Sequence, residues 1–225
     1  MEVLESTTST LDVAHRLAAQ GAPAGTLVIA DEQTAGRGRG GKSWMSAPGA
    51  GIWLTVIERP SDSSGLGVLS LRIGMGVAAA LDRFAPEPIR LKWPNDLYIN
   101  SGKLAGILVE ARWREQAVEW VAIGIGVNVE RPDSVENAAG LEPGTSRVDV
   151  LNDLVPSIRA AAAAMGPLAG DELEQFNARD IARGKSCIQP ALGRVVGITP
   201  AGELLVALAD SVASFRSGSL VLGEQ

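Results

Sequence analysis

Seven consecutive residues, Gly36-Arg37-Gly38-Arg39-Gly40-Gly41-Lys42, hold four glycines and three cations with no acid among them. The run lies between two β-patterned stretches, Thr26–Ala30 and Ile52–Ile57, so it reads as a loop joining two strands. Glycine admits positive φ and lets backbone N–H groups approach a ligand, so Arg37, Arg39 and Lys42 can converge on a carboxylate or phosphate without β-carbons in the way. Arginine adds a planar fork suited to oxyanions. Trp44 closes the loop with an aromatic face. Two plainer explanations compete: a solvated charged loop, or a disordered Gly/Arg tract of the kind that binds nucleic acid. A P-loop is set aside on spacing, with Arg37 taken in place of the first glycine before Lys42-Ser43, and a Rossmann fingerprint because no helix-period segment follows the glycines directly.

The balance of the chain bears on those alternatives. A formal charge of −6 and a pI near 4.9 argue against non-specific nucleic-acid or anionic-membrane binding, so a basic loop here is a local feature. With 225 residues, 46% hydrophobic and 20% charged, the chain can form one large domain or a medium domain with a small appendage. Cys187 is the single cysteine, which rules out an internal disulfide, favours a reducing cytoplasm and reads as a small buried hydrophobe. No apolar run reaches the roughly 18–20 residues of a membrane span, and Met1–Glu5 is no signal peptide.

In chain order, a short lead precedes a helix expected over 11–20, stopped by Gly21 and Pro23. His15, the only histidine, is expected at its surface. Residues 67–84 read as a long helix in which Gly74 and Gly76 imply close packing. A strand at Ile89–Trp93 ends in Lys92-Trp93-Pro94-Asn95-Asp96, and a hairpin through Asn100-Ser101-Gly102 returns into Lys103–Glu110. The strand Val118–Ile125 leads into Gly124-Ile125-Gly126-Val127-Asn128, whose alternate glycines leave room for something flat on one sheet face. Residues 131–144 are expected to be a mobile loop, followed by a helix capped by Ser146 reaching about Met165, irregular at Pro156, and another over 170–182. Short strands over 191–222 suggest a small barrel, with the boundary near 184–190.

Four stretches taken together, Ser9-Thr10, Gln33 through Arg39 with Trp44, Lys92 through Asp96, and Lys103 through Leu108, resemble those of biotin protein ligases, in the family's order and over about residues 6–222. The resemblance implies an α+β fold: a catalytic domain like that of class II aminoacyl-tRNA synthetases, a mixed sheet flanked by helices, over 1–186, and a small SH3-like β-barrel over 187–225. It implies that Ser9, Thr10 and Gln33 bind the ureido ring of biotin, with Gly36 and Arg37 giving backbone contacts. Trp53, Gly106, Ile107 and Leu108 would line an apolar slot floored by Gly124 and Gly126. Arg37, Arg39, Trp44, Lys92, Asn95, Asp96, Lys103 and Asn128 would form the ATP side, with Lys103, Arg39 and Lys92 catalytic.

The implied reaction makes biotinyl-AMP from biotin and ATP and passes biotin to a lysine of a biotin carboxyl carrier protein. Magnesium (Mg2+) would accompany ATP, with Asp96 the one candidate ligand. Leu11 and Gly40-Gly41-Lys42 depart from the usual pattern, toward one fewer polar contact and a looser loop. No helix-turn-helix precedes Ser9, so the monofunctional form is expected, with no DNA and no membrane partner; monomer and homodimer both stay open. The rivals are a lipoate- or octanoate-type ligase on the same fold and a non-catalytic biotin-sensing protein. Loss of Lys103 or Arg39 would mark the latter, and both are present.

Overall fold

The computed structural model describes residues 1–223. It begins with a strand where a short lead was expected: β1 (Glu2–Thr7) runs parallel to β2 (Thr26–Gln33). β1 is largely exposed, so no buried alternation announces it, and its ladder with β2 alone makes it a strand. Between them lies α1 (Thr10–Ala19), which buries Leu11, Val13, Ala14 and Ala18. Gly21 follows at φ +92°, a conformation that costs glycine nothing and ends the helix.

The strands β3 (Gly51–Glu58), β4 (Arg90–Lys92), β5 (Asp96–Ile99), β6 (Gly102–Arg114) and β7 (Ala117–Asn128) complete a mixed sheet of order β1-β2-β3-β7-β6-β5-β4. Only β1 and β2 pair in parallel; the other ladders are antiparallel. One face is covered by α2 (Leu69–Leu81), extended by short 3-10 turns at either end, and by α3 (Arg147–Ala163). Leu54, Ile107, Ile123 and Ile125 of the sheet meet Ile73, Val77, Leu154 and Ile158 in a single core. Each such side chain stabilises by about 2 kcal/mol when fully buried. The close packing inferred from the helix glycines is present. A β-carbon at Gly74 would lie 3.3 Å from Leu91 Cδ2, and one at Gly76 would lie 3.5 Å from the Ser157 carbonyl on α3.

On the opposite face α1 covers only part of the sheet, through Val13, Ala14, Ala18, Val28, Ile57 and Trp120. The period of two along antiparallel strands decides what happens beside it. Gly106 pairs with Gly126, Leu108 with Gly124, Trp53 with Gly126 and Thr55 with Gly124, so all six share this face. Three glycines in neighbouring register positions leave a bare strip of sheet next to the start of α1.

Within residues 131–144, expected to be a mobile loop, the stretch 137–142 is tied to β6 and to the end of the α2 segment. Lys103 N–H donates to the Asn137 carbonyl at 2.7 Å, Ala139 N–H donates to the Lys103 carbonyl at 2.9 Å, and Glu142 N–H donates to the Phe84 carbonyl at 2.8 Å. Polar composition suggested mobility; backbone pairing with the first residues of β6 overrides it. α4 (Gly170–Arg179) stops short of the expected 182. Its Glu172 clasps the buried Arg72 of α2 at 2.6 Å.

The strands β8 (Ser186–Gln189), β9 (Gly193–Ile198), β10 (Leu204–Ala207), β11 (Val212–Phe215) and β12 (Val221–Leu222) form a separate antiparallel sheet of order β11-β10-β9-β8-β12. It is joined to the first through the core: Leu204, Val206 and Leu220 belong to the same apolar cluster as Leu91 and Trp93. Trp93 Nε1 donates to the Gly202 carbonyl at 2.9 Å. Cys187 is buried and free. Among the described residues no helix is long and apolar enough to cross a membrane.

Candidate active site

The bare strip is the floor of a slot whose void, counting the part open to solvent, is about 450 Å3. Its polar end is built by three elements. Ser9 stands at the N-cap of α1, yet its hydroxyl caps nothing: Oγ is buried, has no hydrogen-bond partner among the described residues and lines the slot. A buried hydroxyl without a partner costs free energy unless a ligand supplies one. Next to it, Gln33 Oε1 accepts from Thr10 N–H at 2.8 Å and from Thr10 Oγ1 at 3.1 Å. Gln33 Nε2 donates to Ser46 Oγ at 2.8 Å. Thr55 Oγ1, on β3, donates to Thr10 Oγ1 at 2.9 Å. Thr55 and Ser46 were not anticipated. Thr55 had a signal in the sequence, a lone hydroxyl inside the apolar run Ile52–Ile57; Ser46, in the loop, had none.

Trp44 lies across the floor. A β-carbon at Gly126 would come 2.3 Å from Trp44 Nε1, and one at Gly106 would come 3.2 Å from Trp44 Cζ3. A β-carbon at Gly124 would lie 3.0 Å from the Leu11 side chain. The glycines therefore serve one indole and one leucine that wall the slot, and Trp44 Nε1 is a second buried donor without a partner among the described residues. Lys103 Nζ sits 5.1 Å from the centre of the Trp44 ring, a cation–π contact.

The glycine-rich loop is a small hairpin. Trp44 N–H donates to the Gly36 carbonyl at 2.8 Å, Gly38 N–H donates to the Lys42 carbonyl at 2.6 Å, and Gly40 and Gly41 turn the tip at φ +68° and +76°. Gly36-x4-Gly41-Lys42-Ser43 does satisfy the P-loop spacing, so spacing alone does not set that motif aside. The structure does, because the chain runs on into β3 and no helix follows whose N-terminus could face a phosphate.

Beyond Trp44 the slot opens into a wider cleft, about 1320 Å3 with its open part included, lined by Arg39, Lys42, Lys92, Asp96, Tyr98, Lys103 and residues 218–221 of the second sheet. Arg39, Asn95 and Lys103 line both spaces. Lys92 and Asp96 face each other across the β4–β5 ladder, but Asp96 pairs with Lys103 at 2.7 Å instead. Lys92 rests 5.6 Å from the Tyr98 ring centre. Desolvation holds its pKa below the ordinary lysine range; Asp96 opposes this, and the nearby Lys103 and Lys42 reinforce it. Burial, with Asp96, pushes the Tyr98 phenol up to about 12, so it remains a donor. The cleft thus gathers four cations around a single carboxylate, an arrangement that favours polyanions.

A family model described as the biotin/lipoate A/B protein ligase family matches residues 2–128, more than half of the chain. The chain belongs to this family. Similar ligases include the bifunctional ligase/repressor BirA of Bacillus subtilis, 42% identical over 144 residues, covering 61% of this chain and 43% of that protein. The biotin–[acetyl-CoA-carboxylase] ligase of Mycobacterium tuberculosis is 39% identical over 143 residues, covering 60% of this chain and 52% of that one. The matches therefore span about half the length of these relatives. Among solved ligase structures, the biotin protein ligase from Aquifex aeolicus in complex with biotin and ATP superposes with a TM-score of 0.81 at 25% identity, over 99% of this chain and 98% of that one.

Against the roles expected from the ligase resemblance, four side chains sit differently, and a fifth, His15, departs from its expected surface position. Trp53 shares the floor's face but is buried beneath the chain before β3, its Nε1 donating to the Ala47 carbonyl at 3.2 Å, and it does not line the slot. Ile107 lines it only through backbone, for its Cδ1 points to the other face and would lie 3.7 Å from a β-carbon at Gly74. Asn128 Nδ2 donates to the Lys103 and Ala139 carbonyls, which makes it a brace for β6 and leaves it out of the cation-lined cleft. Arg37 lines the slot, but its side chain pairs with Asp12 and Glu110. His15, expected at the surface, is partly buried and hydrogen-bonded on both ring nitrogens. Alternation along a strand separates Trp53 from Ile107, but it cannot foresee neighbours brought by distant elements.

Proposed function

We propose that this ligase-family chain joins biotin to AMP at the expense of ATP and transfers the biotinyl group to a lysine of a biotin carboxyl carrier domain. The supporting observation is the juxtaposition itself: a slot with unpartnered buried donors at Ser9 and Trp44 opens directly onto a cleft holding Arg39, Lys42, Lys92 and Lys103. A bicyclic ring with one polar edge fits the first space and a triphosphate the second. The Aquifex aeolicus neighbour carries both molecules. In this reading residues 1–186 form a class II synthetase-like catalytic domain, and 187–225 an SH3-like barrel that contributes a wall to the nucleotide cleft.

Ser9, Thr10 and Gln33 would hold the ureido edge, while Trp44 and Leu11 pack its flat faces over Gly124 and Gly126. Lys103, held by Asp96, stands at the junction of the two spaces, where a carboxylate oxygen must meet the α-phosphorus as pyrophosphate departs. With Lys92 and Arg39 it offsets the repulsion between two anions, so positioning and electrostatics carry the step without a covalent enzyme intermediate. The acceptor amine then attacks the mixed anhydride's carbonyl, its proton passes to solvent, and AMP leaves. Magnesium would arrive with the triphosphate. Among the described residues no group of three His, Cys, Asp or Glu side chains could hold it alone, so the donor set fits an ion carried by phosphate, with Asp96 as the one carboxylate at hand.

Substrate-dependent pyrophosphate release tests the reading. Biotin is expected to support it about 100-fold or more better than lipoate, because a slot built to bond a ureido group leaves buried donors unpaired on a linear acyl chain. Equal rates would favour the lipoate-type alternative, and no release with either acid would favour a binding-only protein.

A pH dependence follows from Lys92. Its pKa lies below the ordinary lysine value, and a bound polyphosphate favours the charged form. ATP affinity should therefore fall as pH rises through the lowered Lys92 pKa, before free lysines titrate. Lys92→Arg should flatten that alkaline limb, as measured by calorimetric titration at several pH values.

A further inference from the structure

Beside the slot, on the sheet face that α1 covers, a chain of polar contacts runs from β7 to the root of the glycine-rich loop at Arg37, which lines the slot. Trp120 Nε1, on β7, donates to His15 Nδ1 at 2.9 Å. An indole nitrogen can only donate, so His15 Nδ1 is the acceptor, and Nε2 carries the proton of the neutral ring. His15 Nε2 faces Glu110 Oε2, on β6, at 2.8 Å. The same oxygen accepts from Arg37 Nη2 at 3.1 Å, and Arg37 Nη2 also meets Asp12 Oδ1, on α1, at 3.0 Å. Three elements of the scaffold thus converge on one arginine of the loop.

We propose that Glu110 is a positioning residue, holding Arg37 so that the root of the glycine-rich loop is already folded over the slot before ligand arrives. Arg37 stands between Gly36 and Gly38. Gly36 is packed so tightly that a β-carbon would lie 2.4 Å from the Trp44 carbonyl and 3.1 Å from Gln33 Nε2. A displaced Arg37 would therefore drag Gly36, Trp44 and the Gln33 network with it. The loop tip is held differently: among the described residues a β-carbon at Gly40 or Gly41 would meet nothing within 4 Å, and Arg39 makes one hydrogen bond, to the Gly218 carbonyl at 3.1 Å. A fixed root with a loose tip keeps the slot shaped while letting the tip move. Ordering the root in advance lowers the entropy lost on binding, so the tether acts on affinity. The pairs are partly exposed, each worth a small factor, and His15 strengthens the arrangement by restricting how the Glu110 carboxylate can turn.

This inference rests on the ligase reading only for its choice of ligand. Two measurements on the full chain test it. Trypsin cleavage within residues 37–42, without substrate, should be about fivefold faster in Glu110→Ala than in wild type, with unchanged circular dichroism. The biotin Kd should rise by about fivefold while kcat at saturating biotin stays within about twofold. Glu110→Gln, which keeps an acceptor oxygen but no charge, should fall between. Glu110→Ala should add little to Arg37→Gln, since both remove the Arg37–Glu110 pair. A folded Glu110→Ala protein with wild-type cleavage and wild-type Kd overturns the proposal, as does strict additivity of the two substitutions. Should Glu110→Ala not fold, the Glu110→Gln and Arg37→Gln pair decides by the same criteria. If wild type binds no biotin, the proposed function fails, and the cleavage comparison still judges the tether.

Discussion

Lys103→Ala is expected to slow formation of the adenylate about 10³-fold without unfolding the protein. Lys103 Nζ lies between the two spaces, 2.7 Å from Asp96 Oδ1 and 5.1 Å from the Trp44 ring centre. Its removal takes away the cation that both anions share and also leaves Asp96 unpaired, so a stabilising charge is replaced by a repelling one. That second effect can be separated. Lys103→Ala combined with Asp96→Asn should recover part of the loss, about tenfold, because the added repulsion is gone while the missing cation is not. Single-turnover measurement of biotin-dependent AMP incorporation reads both variants. Adenylate synthesis at the wild-type rate in Lys103→Ala would remove that lysine from the mechanism proposed above.

The second large effect is expected from a methyl group. In Gly126→Ala the new β-carbon would stand 2.3 Å from Trp44 Nε1 and 2.6 Å from Trp44 Cε2, too close for either to remain. The backbone there belongs to the β3–β7–β6 ladders and cannot retreat, so the indole has to leave the floor. Biotin affinity should fall about 100-fold, the scale for a misplaced wall of a tight site. Trp44 emission should shift to the red as the ring enters water. Gly106→Ala, at 3.2 Å from the same ring, should show the same changes at smaller size. Unchanged affinity and emission in Gly126→Ala would mean that Trp44 does not form a wall of the slot.

How much of this was legible in the residues varies with the distance over which each feature is decided. The alternation Gly124-Ile125-Gly126 indicates a bare face because strand geometry alone assigns it, and Gly106 falls on the same face once the β6–β7 register is set. The convergence of Arg39, Lys92 and Lys103 on one cleft follows from the resemblance and is present in the structure. β1 escaped notice because its stability comes from pairing with β2, across an intervening helix, and its own side chains are mostly exposed. Asn128 and Arg37 were placed toward the ligands by the ligase resemblance. Each is satisfied by groups far along the chain, the Lys103 carbonyl for one and the Glu110 carboxylate for the other. His15 looked ordinary on an amphipathic helix, since its partners at 110 and 120 lie on strands that only the folded sheet brings near.

The tie between Trp93 and the Gly202 carbonyl gives the second sheet a standing that its small size disguises. Since Leu204, Val206 and Leu220 complete the same apolar mass as Leu91 and Trp93, and Gly218 receives Arg39, residues 186–222 are no detachable accessory. A tail borrowed from a cousin would have to reproduce a turn carbonyl, an apolar plug and a loop-docking point at once. The two halves of such a chain are therefore expected to drift in step, each restraining what the other can become.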